Sequence, residues 1–170
     1  LYAYQWGLRS KIRISDDMKP LKMKNVMSYY DYKDFTEPGN FAGTGGNFSG
    51  GAAAAPIPGG QLAARDFDML EIYNELGMEI GGLPPMKLFF DWVQNLDESA
   101  TASTGADENK AWMLGFKIGK AKKKGGWELQ YNYAAIEANA VPGVFSDGDF
   151  GQADTRGSVF RAKYAITDHS

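Results

Sequence analysis

The chain has 170 residues, enough for one sizeable domain, and its net charge of −3 gives no indication of a nucleic-acid partner. It contains no cysteine, which excludes a disulfide framework, a thiolate metal site and a cysteine nucleophile. The 21 glycines and the aromatic content of 14% favour strands and turns, and no apolar run approaches the roughly 18–20 residues of a membrane helix.

Two strands are predicted at the start of the chain, because apolar and polar residues alternate there. Over residues 1–14 the apolar side chains share one face: Tyr2, Tyr4, Trp6, Leu8, Ile12 and Ile14. The opposite face carries the cations: Arg9, Lys11 and Arg13. Residues 21–32 are the second predicted strand, whose apolar face is less clear because Met23 and Met27 alternate with Val26 and Tyr30.

The third and fourth predicted strands, over residues 67–80 and 85–95, set charged side chains against an apolar face. In the third strand the apolar residues are Leu70, Ile72, Leu76, Met78 and Ile80, and those opposite are Glu71, Tyr73, Glu75 and Glu79. In the fourth strand Met86, Leu88, Phe90 and Trp92 oppose Lys87, Asp91 and Asn95. A helix competes only over 67–80, because Glu71 and Glu75 are four apart. The alternation continues through Gly77 and favours a strand.

The last three predicted strands span residues 111–120, 127–135 and 158–166. One face of each is apolar, with Trp112, Leu114, Phe116 and Ile118, then Trp127, Leu129, Tyr131 and Tyr133, then Phe160, Ala162, Tyr164 and Ile166. The opposite faces carry Lys117, Glu128, Arg161 and Lys163. The first two of these strands are predicted to form a hairpin around the turn at 121–126, which holds a lysine cluster and two glycines.

The connections alternate between short and long. Short ones fall near 15–20, 81–85 and 121–126, and long ones near 33–66, 96–109 and 137–157. The Gly/Ala/Pro-rich segment 36–66 has too little apolar bulk to fold alone, and we expect it to be an extracellular loop. Tight turns at one end and long loops at the other are typical of an outer-membrane barrel.

The fold expected is therefore all-β, an antiparallel transmembrane β-barrel with up-and-down topology, in which residues 1–170 supply about seven strands of a single domain. The side chains expected to line a polar lumen are Arg9, Lys11, Arg13, Glu71, Glu75, Glu79, Lys87, Asp91, Lys117, Glu128, Arg161 and Lys163. Those expected at the membrane interface are Trp6, Trp92, Trp112, Trp127, Tyr131, Tyr133 and Tyr164. Opposed acidic and basic rows would tune ion selectivity.

Residues 111–168, and the preceding strand pair FDMLEIYNELGMEIGGLPPMKLFFDWVQN, resemble the C-terminal region of a family of Gram-negative porins. The most specific part is the hairpin WELQYNY…VFSDGDFG, and residues 1–66 fit by alternation only. The resemblance implies a bacterial outer-membrane channel for small hydrophilic solutes, and by analogy a trimer. Members of this family are longer and end in a further strand, so we expect this chain to be incomplete.

Other kinds of site are weakly indicated. The Asp/Gly-rich segment 146–154 would offer oxygen ligands to calcium but departs from the EF-hand pattern. His169 is the single histidine, which disfavours a Ser/His hydrolase. Glu71 and Glu75 lie about 13 Å apart along a strand, too far for a glycosidase pair. We expect no metal, no cofactor and no enzymatic activity.

The function expected is that of a porin for passive diffusion of small solutes or ions, with outer-membrane lipid and the solutes as partners. Two alternatives remain open. One is a soluble or surface β-sandwich with a binding role, whose aromatic face would be a core. The other is a small non-conducting outer-membrane barrel of about eight strands with a filled interior.

Overall fold

A computed structural model describes residues 2–15, 19–32, 67–97, 109–137, 140–141 and 155–168 of the chain. It has seven strands in these ranges: β1 (Tyr2–Ile12), β2 (Leu21–Tyr32), β3 (Phe67–Met78), β4 (Met86–Asn95), β5 (Lys110–Gly119), β6 (Trp127–Ile136) and β7 (Thr155–Tyr164). The described residues contain no helix that is long and apolar enough to span a bilayer. The predicted extracellular loop 36–66, segment 146–154 and His169 lie outside the described residues.

The strands form one antiparallel sheet in chain order, from β1 to β7. Each strand pairs with the next one along the chain, as expected when short turns or simple loops join neighbours. The predicted all-β class, the up-and-down topology and the number of strands are confirmed. Within the described residues the sheet is open, with β1 and β7 as its edges, so closure into a barrel stays a prediction.

Two of the three short connections contain glycines in backbone conformations that other residues rarely adopt. Gly82 has a φ of +80° in the turn after β3, where the Leu83 amide donates to the Ile80 carbonyl at 3.1 Å. Gly125 has a φ of +81° in the turn between β5 and β6. The three long connections, 33–66, 96–109 and 137–154, all leave from the opposite end of the sheet. The predicted alternation of connection lengths is confirmed.

The strand prediction for residues 67–80 is also confirmed, and the competing helix is wrong. Residues Phe67–Met78 form β3, which lies between β2 and β4 and pairs with both along nearly its whole length. Two neighbouring strands satisfy the backbone hydrogen-bonding groups of β3 in this position. Glu71 and Glu75 lie on the same face of β3, as they would on a helix. Their spacing alone therefore could not distinguish a strand from a helix.

Candidate functional site: the two faces of the sheet

One face of the sheet is apolar from β1 to β7, and we call it the apolar face. Strand pairing brings onto it the alternate residues that include Trp6, Leu8, Met27, Ile72, Leu88, Phe90, Trp112, Leu114, Phe116, Leu129 and Phe160. These side chains are exposed, with 61% of Trp6, 52% of Leu114 and 65% of Phe160 accessible. Asn25 and Asn74, directly opposed in β2 and β3, are polar exceptions near its middle.

The opposite face, which we call the polar face, carries most of the charged side chains of the strands. They are Arg9, Lys11, Lys22, Lys24, Glu71, Glu75, Lys87, Asp91, Lys117, Glu128, Arg161 and Lys163. Ser28 and Asn95 are fully buried on this face, and Asn132 is 4% exposed. The sheet is thus reversed relative to one that packs in water, because its polar side is the more enclosed and its apolar side the more accessible.

The structure brings together most of the side chains predicted to line a lumen. Ten of the twelve lie on the polar face within strands, and the other two, Arg13 and Glu79, lie just beyond the ends of β1 and β3. Sequence reasoning missed Lys22 and Lys24, which the pairing of β2 with β1 places beside Lys11 and Arg9. Their alternation with Leu21 and Met23 was the available signal. That these side chains line water remains a prediction.

All seven predicted interface aromatics lie on the apolar face. Trp92 is the direct cross-strand partner of Trp112, three residues or fewer from the long-connection end of β4 and β5. Trp127 pairs with Tyr164 beside the tight turn at the other end. Trp6 and Tyr131 instead lie in the middle of their strands, and Tyr133 packs on Trp112 with ring centroids 5.4 Å apart. Their contact with a membrane interface remains a prediction.

Ion pairs tie neighbouring strands together across the polar face. The Lys87 ammonium lies 2.8 Å from a Glu75 carboxylate oxygen, and the Lys117 ammonium lies 2.8 Å from Glu128. Lys163 lies 3.6 Å from the same Glu128 oxygen. The Tyr73 hydroxyl donates to Glu75 at 2.8 Å. These contacts hold the carboxylates close to the polar face, and the lysines that pair with them stay partly exposed.

A second charged cluster lies at the turn end of β2 and β3, with Lys19 and Glu79 just outside these strands and Lys22 near the start of β2. Glu79 accepts hydrogen bonds from Lys19 at 2.8 Å and Lys22 at 2.6 Å. These hydrogen bonds and the attraction of the two ammonium groups lower the pKa of Glu79 to about 2. The same hydrogen bond raises the pKa of Lys19. The Glu79 carboxylate therefore stays ionised and is not a proton donor near neutral pH. Its contact with Lys19 ties the connection between β1 and β2 to the end of β3.

Whether the described residues could form a metal centre depends on how their ligand-type side chains are grouped. Among them, no group of three or more His, Asp or Glu side chains is placed to hold a metal ion. What they do offer is a face that bears many charged side chains, backed by a largely apolar surface. Charged side chains that line a path can select solutes by size and charge without changing them.

Comparison with known families agrees with this geometry. The sequence model of the family described as "Putative porin" matches residues 62–170, which include β3 to β7 and well over half of the chain. No curated protein and no solved structure matches the chain. The family match supports a porin-like role in the outer membrane in general terms.

Proposed function

This chain belongs to the family described as "Putative porin", and we propose from that premise that it forms part of the wall of a water-filled channel in the bacterial outer membrane. Small hydrophilic solutes or ions would diffuse passively along the polar face, and lipid would cover the apolar face. The proposed mechanism is size exclusion and electrostatic selection, without a chemical step.

The observation that carries this proposal is the reversal of the two faces. Large apolar side chains are exposed on every strand, including Tyr4 at 56%, Leu8 at 65% and Tyr164 at 67%. In water such a surface would be costly, since transfer of apolar area out of water is favourable by about 25 cal/mol per Å². In a bilayer the same surface is matched to its solvent, and the polar face then needs a water-filled interior.

The ends of the sheet support the same environment. At the long-connection end the apolar face becomes polar, with Asp31 opposite Asp68 and Gln94 opposite Lys110. Charged groups are tolerated near the interfaces of a transmembrane strand but not at mid-depth. By the usual arrangement of such barrels, the long connections face the exterior and the short turns face the periplasm.

Planar-bilayer recording of the intact protein that contains this chain tests the proposal. We expect discrete current steps, because a water-filled barrel conducts continuously once inserted. A matched pair of variants on β7 tests whether the polar face lines the path. Gly157 lies on the polar face with nothing within 4 Å of an added Cβ, and Ala162 lies on the apolar face of the same strand.

Gly157→Trp should lower the single-channel conductance by narrowing the path, whereas Ala162→Trp should leave it unchanged because its ring enters lipid. Absence of current steps from folded, membrane-inserted protein would contradict the proposed function. So would an equal loss of conductance in both variants.

A further inference from the structure

The strand register aligns cationic side chains in one row across the sheet. Directly opposed residues on the polar face follow one another from β1 to β7 as Lys11, Lys22, Gly77, Lys87, Lys117, Gln130 and Arg161. Five of these seven positions are Lys or Arg, and we call those five the basic row. Gly77 and Gln130, the two remaining positions, carry no charge.

The basic row is unfavourable for the stability of the sheet. Lys11 lies directly opposite Lys22, and Lys87 lies directly opposite Lys117. In the next row Arg9 lies opposite Lys24. Like charges at directly opposed positions destabilise an antiparallel pair. Three such pairs recur although each opposes like charges, and this recurrence points to a role for the charges beyond the ion pairs that Lys22, Lys87 and Lys117 form with glutamates.

The cations of the basic row are only partly neutralised. Lys87 and Lys117 turn away from each other, since Lys87 pairs with Glu75 on β3 and Lys117 pairs with Glu128 on β6. Even so, 42% of the Lys87 side chain and 31% of the Lys117 side chain remain accessible. Lys11 is exposed on β1. The row therefore presents positive charge to the space in front of the polar face.

The charge of the polar face opposes that of the whole chain. Its strand positions carry eight Lys or Arg side chains and four carboxylates. The chain as a whole has a net charge of −3. The difference lies in the long connections 33–66, 96–109 and 137–154, whose sequences hold eleven acidic residues and two basic ones. The negative charge of the sequence thus falls largely in these connections, whereas the strand positions of the polar face have a net positive charge.

We propose that the channel prefers small anionic solutes, such as those bearing carboxylate or phosphate groups, and that the basic row provides this preference. The proposal rests on the channel function proposed above. Rings of Lys or Arg side chains select anions in pores. In a barrel the strands tilt by about 35–45°, so a row perpendicular to them climbs the wall and offers cations at successive depths. Such spaced, weak sites attract an anion without retaining it.

The test is the reversal potential of the intact protein in planar bilayers under a KCl gradient at low salt. We expect chloride to permeate more readily than potassium. In the triple variant Lys11→Gln, Lys87→Gln, Lys117→Gln the chloride-to-potassium permeability ratio should fall by roughly fourfold for each lysine removed, because Coulomb interaction at about 10 Å in water contributes a factor of about two for the attracted anion and about two for the repelled cation. The effect should weaken above about 0.1 M salt, where charges are screened within about 10 Å.

A matched control removes three lysines from the exposed turn between β5 and β6. The control variant Lys122→Gln, Lys123→Gln, Lys124→Gln changes the net charge equally and should leave the reversal potential unchanged. If the first triple variant does not fold, Lys11→Gln alone at its exposed position should give the single-lysine shift. Conversely, Glu75→Gln with Glu128→Gln should raise the chloride preference, because these carboxylates pair with the row.

The outcomes separate this inference from the proposed function. Current steps with potassium preferred over chloride would overturn the inference and leave the channel function standing. Equal shifts in the two triple variants would overturn it as well, because the selectivity would then not reside in the row. A folded, inserted protein that gives no current steps would contradict both proposals.

Discussion

At the scale of single residues, Gly115 shows how closely the polar face is packed. The Phe89 ring lies across Gly115, its direct partner in β5. A Cβ at position 115 would overlap that ring and would come within 2.8 Å of the Asn132 Cβ on β6. A glycine in a strand interior normally weakens the strand, and here the space it leaves is occupied by an aromatic ring from the next strand. The absence of a side chain at Gly115 therefore leaves room for the Phe89 ring of β4 to lie over β5, next to Asn132 of β6.

Gly115→Ala is predicted to destabilise the folded protein by about 1–3 kcal/mol, because the added methyl group overpacks a filled site. Gly77→Ala is the matched control. Gly77 is also a polar-face glycine in an interior strand, but its added Cβ would meet the Lys22 Cβ at an ordinary 3.6 Å. Urea unfolding of both variants in detergent micelles measures the difference. Equal unfolding midpoints for the two would show that Phe89 does not depend on Gly115.

Individual residues also show a limit of sequence reasoning. Alternation placed Lys87 and Lys117 on polar faces of their own strands, and the register confirms this placement. Alternation could not show that the two lysines are directly opposed, since a shift of two residues in register keeps the same faces. The Gly115–Phe89 contact was hidden for the same reason. Relations between strands require the register, which the sequence of one strand does not specify.

At the scale of elements, each strand separates two environments by its alternation alone. In β5, Leu114 lies on the apolar face and is 52% exposed, whereas Met113 lies on the polar face opposite Asp91. Both positions are near the middle of Lys110–Gly119. Substitutions at Leu114 and Met113 therefore probe the two faces of the sheet at nearly the same depth.

Leu114→Arg is predicted to destabilise the inserted protein by about 2–4 kcal/mol, as for an arginine on the lipid face at mid-depth. Met113→Arg, one residue away, should cost much less because its guanidinium can reach water and the Asp91 carboxylate. Urea unfolding in lipid vesicles compares the two variants. A larger loss of stability for Met113→Arg than for Leu114→Arg would mean that the faces are assigned the wrong way round.

All seven elements could be predicted from alternation, and both ends of β2 match the prediction, but the ends of β7 do not. The predicted strand at 158–166 is observed as Thr155–Tyr164, so it begins three residues earlier. The reason lies in β6, since Ile136, Ala135 and Ala134 pair with Thr155, Arg156 and Gly157. Arg156 on the apolar face interrupts the alternation in this segment. Pairing with β6, rather than the side-chain pattern of β7 itself, therefore sets where β7 begins.

At the scale of the whole molecule, the sheet is amphipathic, and its apolar face is exposed rather than packed in a core. This arrangement suits a sheet whose apolar face meets lipid. Among the described residues the buried hydrophobic side chains are few, with Phe67 and Met69 packed near Tyr30, Tyr32 and Val93 at the long-connection end. One surface of the meander is apolar and exposed, and the other is charged. The two faces were predictable because they follow from a period of two, whereas the basic row depended on the register.

The most direct test of the central claim, that the polar face meets water and the apolar face meets lipid, is cysteine accessibility in the native membrane. The chain has no cysteine of its own, so each introduced thiol is the only one in it. Suitable positions are Lys117, Gln130 and Gly157 on the polar face, and Leu114, Leu129 and Ala162 on the apolar face.

A charged, water-soluble maleimide should label thiols at the three polar-face positions and spare those at the three apolar-face positions, because a thiol in lipid stays protonated and unreactive. The apolar-face thiols should become reactive once the protein is unfolded in denaturant. This alternation would support a channel wall. Labelling of the apolar-face positions by the charged reagent, with the polar-face positions protected, would contradict the account, because the apolar face would then lie in water.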